Sequence, residues 1–217
     1  MAPNVSSHNE DAKKEILKRV RDAQQLSEAP SHVEAVREYR TTSDHTPEQL
    51  REILIDRLLD YKASVVETSE ADLASNIAKI LAERGAKDIV YAPGLDASLF
   101  AEFDGEARAD DPASDPRQLG DIGAAVTDSQ VTSAQTGSIV LESGDLCGRR
   151  ALSLVPDRHV VIVRPDSLVY GVPEMMSRID PEKPATMISG GSATSDIELV
   201  RVEGVHGPRD LIVMVVH

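Results

Sequence analysis

Two apolar runs constrain the fold of this chain more than any other feature. Residues 160–163 (VVIV) and 211–216 (LIVMVV) are uninterrupted and of strand length. A strand with one wet face alternates polar and apolar residues. A strand without alternation is covered on both faces, which implies a largely parallel sheet flanked by helices. The fold class expected is therefore α/β.

The rest of the chain supplies partners for those strands. Residues 65–66 and 89–91 read as strands. Between them, a helix opening at Ser69 carries an apolar face of Leu73, Ile77, Ile80 and Leu81 and ends at Gly85. Strand, helix and strand at this spacing predict a βαβ unit with neighbouring parallel strands. Residues 122–127, 138–141, 168–170 and 185–188 are further strand expectations, and 173–179 a helix. Residues 103–120 are acidic and broken by Pro112 and Pro116, so an exposed loop is expected there, with a lid over a site as the alternative.

Two helices precede this region. Residues 10–26 space Ala12, Ile16, Leu17, Val20, Ala23 and Leu26 by threes and fours, which makes one helical stripe. This helix either packs on its own domain, the expected case, or is presented to another subunit. Residues 27–44 read as a linker with a short extended piece at 33–39. The second helix has Thr46 as N-cap, Pro47 in its first turn and Gln49 completing a capping box. Leu50, Ile53, Leu54, Leu58 and Leu59 form its expected buried face. The division expected is a helical extension over 1–61 and an α/β domain over 62–217.

Composition narrows the function classes. Cys147 is the single cysteine, so one chain forms no disulfide framework and holds no cysteine-ligated iron–sulfur cluster. A net charge of −14 repels phosphate backbones, and 3% aromatic content without Trp leaves little for bases to stack on. Nucleic-acid binding is not expected. No run approaches the roughly 20 apolar residues of a membrane span, and the first residues lack a secretory pattern. A cytoplasmic protein without membrane association is expected.

Two stretches concentrate candidate chemistry. Thr136-Gly137-Ser138 places a glycine between two hydroxyls at a strand start, which suits an oxygen-rich ligand or a plain tight turn. Glu142 ends that strand. Ligands gather at the carboxyl ends of strands in α/β sheets, so Glu142 is a candidate base or nucleophile, with an ion pair to the nearby arginines as the other reading. Arg149 and Arg150 open a helix, and a guanidinium there grips a carboxylate or phosphate through paired hydrogen bonds. One of the two is expected to be structural.

In the second stretch, Ser189, Gly190, Gly191, Ser192, Thr194 and Ser195 form a loop entering a helix start, where free amides suit an anion. Asp196 and Glu198 set the polarity of its mouth or serve as caps. The loop lacks the GK[ST] ending of a phosphate-binding P-loop. His206, in the turn GVHGPR, is a candidate acid–base group or a partner for a backbone carbonyl. The histidines show no paired ligand spacing, so neither a metal nor a cofactor is expected. Cys147 has no base placed beside it and is not expected to be catalytic.

Together, AQTGSIVLESGDLCGRRALSLVPDRHVVIVR and ISGGSATSDIELVRVEGVHGPRDLIVMVV resemble the lactate utilization (LUD) domain family. The order TG[ST]IVL, GRRAL, P-x-x-H, a Ser-Gly loop running into DIE, then GVHGP carries the resemblance over residues 120–217. The earlier segments fit more weakly. The resemblance implies a sheet similar to the ribose-5-phosphate isomerase and CoA-transferase-like proteins, preceded by helices. It also implies a cytoplasmic role in oxidising L-lactate to pyruvate beside companions that bear iron–sulfur clusters. Related members carry an acidic residue where Gln135 stands here. CoA transferases of similar fold attack with a glutamate, which a glutamine cannot replace, so Glu142 would have to serve.

Three roles follow. The expected one is a non-redox subunit that holds a small organic acid with Arg149 or Arg150 and the 189–195 loop, His206 lying nearby. The second is an isomerase or transferase acting on a phosphorylated or CoA-linked ligand. The third is a scaffolding module engaging a partner through the N-terminal helix, a second copy of the chain being one such partner.

Overall fold

The computed structural model describes residues 5–27, 30, 32–194, 202–203 and 207–217. The chain divides into two compact units, Met1–Tyr39 and Arg40–His217. The first contains α1 (Val5–Leu26). On its surface Arg19 Nε donates to Glu15 Oε1 at 2.9 Å, one turn back.

The second unit opens with α2 (Pro47–Asp60), β1 (Ser64–Thr68), α3 (Leu73–Glu83), β2 (Asp88–Tyr91), β3 (Glu106–Ala109) and β4 (Ala124–Asp128). It continues with β5 (Val131–Ser133), β6 (Ser138–Glu142), α4 (Arg150–Leu154), β7 (Arg158–Val163), β8 (Leu168–Val169) and α5 (Val172–Ser177). β9 (Ala185–Ile188), β10 (Ala193–Thr194), β11 (Val202–Glu203) and β12 (Asp210–Val216) complete the described α-helices and strands, and three short 3-10 turns lie at Ala97–Phe100, Pro116–Asp121 and Pro165–Ser167.

Six strands form one sheet in the order β1-β12-β7-β4-β2-β3, every neighbouring pair parallel. The two apolar runs are its centre. Val160, Ile162, Ile212, Met214 and Val216 face one core with Leu73, Ile77 and Leu81 of α3 and Leu152 of α4. Val161, Val163, Leu211, Val213 and Val215 face the other, with Leu54 and Leu58 of α2 and Ile139 and Leu141 of β6. Both faces are covered, which is why these strands lack alternation. A four-stranded mixed sheet, β8-β5-β6-β9, lies on the α2 side, with Met175 of α5 packed against its outer face.

α2 starts where its cap requires. Gln49 N donates to Thr46 Oγ1 at 3.3 Å, and Thr46 N donates back to Gln49 Oε1 at 2.9 Å. Leu54 and Leu58 are fully buried in the second unit, so α2 lies within it, whereas the expected boundary fell at 61/62. Leu59, expected to be buried, is 57% exposed because the covered face of the helix is narrower than five residues.

Three sequence expectations are corrected. β1 and β2 are parallel but not adjacent, because β12, β7 and β4 insert between them. Residues 106–109 form β3, a short edge strand within the stretch expected to be a loop. Ala193–Thr194 is a strand paired antiparallel to β11, where a helix start was expected. The remainder of that expected helix, residues 195–201, lies outside the described residues.

Candidate functional site

The candidate residues fall into two groups at opposite edges of the parallel sheet. β6 joins them: Ser138 begins it and Glu142 ends it, about 13 Å apart at 3.3 Å per residue.

At the carboxyl edge, Glu142 is 6% exposed and accepts from Asp180 N at 2.7 Å and Lys183 Nζ at 3.2 Å. Its ion-pair partner is therefore Lys183, not an arginine of the 149–150 pair. Arg149 is more heavily committed. Its Nε and Nη2 donate to Asp110 Oδ2 and Oδ1 at 2.8 and 3.0 Å, just past the end of β3. Nη1 and Nη2 also reach Ser114 O and Oγ at 2.8 and 2.9 Å. The guanidinium thus clamps the 110–114 loop to the sheet. Arg150 is exposed and has no ion pair among the described residues.

Cys147 packs beneath, donating from Sγ to Asp128 O at 3.2 Å. Burial pushes its thiol up to about 12. Asp128 shares the Arg164 guanidinium with Glu70, yet burial outweighs that partner and raises its carboxyl above the usual range.

At the amino edge, the other candidates meet. Thr136 Oγ1 lies 3.0 Å from Ser133 Oγ and 2.9 Å from Ser138 Oγ, donating to one and accepting from the other, and Ser138 Oγ lies 2.9 Å from Ser189 Oγ. Gly137 between them adopts φ +61, and a Cβ there would stand 3.0 Å from Cβ of Arg57 on α2. The turn needs glycine on both counts. Beyond Ser189, the Gly190-Gly191-Ser192 segment runs against residues 207–209. Ser192 N donates to Pro208 O at 2.7 Å, and a Cβ on Gly191 would lie 2.6 Å from Arg209 O. The Ser-Gly loop and the terminal GPR turn are thus neighbours. Thr194 continues into β10. Asp196, Glu198 and His206 lie outside the described residues.

These segments enclose a cavity of about 50 Å³. Ser153 and Leu154 of α4, His159 of β7, Gly190, Ser192 and Leu211 are among its walls. A single water needs about 10–15 Å³ of such space, so the cavity holds several waters or a small polar group.

His159 is the residue that sequence reasoning passed over. It has no exposed surface, and burial alone lowers its pKa to about 3, so the ring is neutral. Nε2 lies 2.9 Å from Thr127 Oγ1 on β4. If the threonine only accepted, its own buried proton would have no acceptor, so the favoured arrangement has Oγ1 donating to Nε2. The ring proton then sits on Nδ1, which has no hydrogen-bond partner among the described residues. An unpaired buried donor costs about 1–3 kcal/mol. The sequence signals were its place in the P-x-x-H step of the family pattern and its position, the one polar residue between Arg158 and Arg164 in an apolar run.

Comparison with known proteins agrees with this architecture. The LUD domain matches residues 7–216. Lactate utilization protein C of Deinococcus radiodurans is 38% identical over 192 residues, covering 87% of this chain and 89% of that protein. Lactate utilization protein C of Halalkalibacterium halodurans is 24% identical over 188 residues, covering 79% of this chain and 80% of the relative. A crystal structure of a DUF162 family protein from Deinococcus radiodurans superposes with a TM-score of 0.67 at 33% identity, over 80% of this chain and 99% of that one. Spanned almost end to end by the domain match, the chain belongs to the LUD domain family.

Proposed function

We propose that this chain serves in lactate utilization as a non-redox subunit that binds a small organic acid at the amino-edge cavity. The observation that carries the reading is the neutral His159 with its unpartnered Nδ1, set in a cavity wall beside the Ser-Gly loop. A carboxylate or hydroxy-acid oxygen is the natural acceptor for such a donor. The names of the relatives supply the metabolic context. With one buried cysteine, the electrons of lactate oxidation belong to iron–sulfur companions in the cytoplasm rather than to this chain.

A transferase built on Glu142 has weaker support. The carboxylate is tied to Asp180 N and Lys183 at the other sheet edge. Arg149 is likewise not the acid's anchor in this reading, because it is spent on Asp110 and Ser114.

Calorimetric titration with L-lactate, pyruvate, a sugar phosphate and coenzyme A tests the proposal, repeated on His159→Gln. Glutamine keeps a partner for Thr127 while removing the ring. Saturable binding of L-lactate or pyruvate, weakened at least about tenfold in the folded variant, is the expected result. Selective binding of coenzyme A or the sugar phosphate, or an unaltered affinity in His159→Gln, would overturn it.

A further inference from the structure

A larger cavity lies at the carboxyl edge, away from the Ser-Gly loop. It measures about 220 Å³ and is walled by Pro47 and Leu50 of α2, Pro165, Leu168, and Val216 at the end of β12. The carboxyl ends of parallel strands are where α/β sheets collect ligands. These walls are apolar, and Glu48, Arg51 and His217 line the rest, Arg51 being the one guanidinium.

Arg51 is unlike the other arginines of this edge. Arg149 and Arg164 are fully engaged with carboxylates and loop oxygens. Arg51 has Glu67 as its ion-pair partner, at 3.5 Å from Nε, beyond hydrogen-bond range. Its Nε is buried and without a hydrogen bond among the described residues. Glu67 is 53% exposed, so this contact is weak and easily exchanged. Glu48, at the rim, is exposed and interacts first with its own backbone N–H and the Thr46 hydroxyl, and less strongly with the Arg51 charge. A planar fork of donors is therefore left beside an apolar space, which matches a carboxylate with a hydrocarbon body.

We infer that this cavity is a second ligand site, taking a short aliphatic monocarboxylate. In the measure by which a single water needs about 10–15 Å³, its 220 Å³ is about four times the space of the amino-edge cavity, room for a hydrocarbon body as well as a carboxylate. The carboxylate pairs with Arg51 and the chain lies against Leu50, Pro165, Leu168 and Val216. The site is separate from the His159 cavity and does not depend on the reading given to that cavity.

Hexanoate is the probe, with hexanol as the uncharged control, titrated into the full chain and into Arg51→Gln and Arg51→Lys. Thermal unfolding first establishes that each variant is folded, which the weak Glu67 contact leads us to expect. Wild type should bind hexanoate saturably. Arg51→Gln should bind it at least about tenfold more weakly, Arg51→Lys should fall between, and hexanol should bind at least about tenfold more weakly than hexanoate. Absence of saturable binding, equal affinity in Arg51→Gln, or equal affinity for hexanol would overturn the inference. So would one-for-one displacement of hexanoate by L-lactate, which would place both ligands in a single site. Loss of L-lactate binding in His159→Gln with hexanoate binding intact would separate the fates of the two proposals.

Discussion

Thr127 Oγ1 and His159 Nε2 lie 2.9 Å apart across β4 and β7, at a place where neither residue has exposed surface. Burial at this place makes His159 an acid-sensitive element of the fold. Its folded pKa is about 3 against an ordinary value of 6.5. Between these values the unfolded state binds the extra proton, so this contribution is complete above pH 6.5 and is lost as pH falls toward 3. It amounts to several kcal/mol in order of magnitude. Urea unfolding between pH 7 and pH 4 should show wild type losing more stability than His159→Gln, which has no proton to gain. Parallel curves for the two proteins would contradict this assignment.

Arg149→Ala is expected to act on stability and on the loop it clamps. The Asp110 side chain is fully buried, so removing the guanidinium strands a carboxylate, at a cost of about 3–5 kcal/mol. Residues 110–114 should then become a site of early proteolysis. The double variant Arg149→Ala/Asp110→Ala should be at least about 1 kcal/mol more stable than the sum of the single losses, since it leaves no charge behind. Additive losses would mean that the pair is not coupled.

How far the chain was legible can be judged from particular residues. The capping box at Thr46 and the unalternating β7 and β12 carry their structure in a few adjacent side chains, and they fold as read. β3 has the sequence EARA and an exposed edge position, so no apolar pattern marks it; its pairing with β2 is what makes it a strand. The site was half legible for a related reason. Thr136, Ser138, Ser189 and Gly190 suggested themselves by composition, and the antiparallel pairing of β6 with β9 brings them together. Arg149 is close to them in sequence, but β6 carries the chain across the sheet before reaching it. His159 and Asp110 become informative only through burial and partners, neither of which is a property of a single sequence position.

Glu142 offers a direct contrast between a structural and a chemical carboxylate. Glu142→Gln keeps an oxygen for Asp180 N and releases Lys183 to solvent, so the expected loss is within about 1 kcal/mol. Glu142→Ala leaves the Asp180 amide without its acceptor and should cost about 1–3 kcal/mol. Affinity for L-lactate at the amino-edge cavity should be the same in both variants. A folded Glu142→Gln protein that has lost lactate binding would return this residue to the site.

Cys147 reports on the integrity of the carboxyl edge. The thiol is 3% exposed, its Sγ–H donates to Asp128 O, and burial pushes its pKa to about 12. Thiolate is the reactive species, so at pH 8 both access and ionisation protect this residue. Labelling by a chromogenic thiol reagent should therefore be slow in native buffer, fast in denaturing urea, and should rise along the unfolding transition between the two. The same experiment on Arg149→Ala probes the clamp, because loosening the 110–114 loop next to this edge should speed labelling below the urea midpoint. Rapid stoichiometric labelling of the native wild-type protein would show instead that the thiol is accessible and ionised, and would give Cys147 a chemical role that its surroundings argue against.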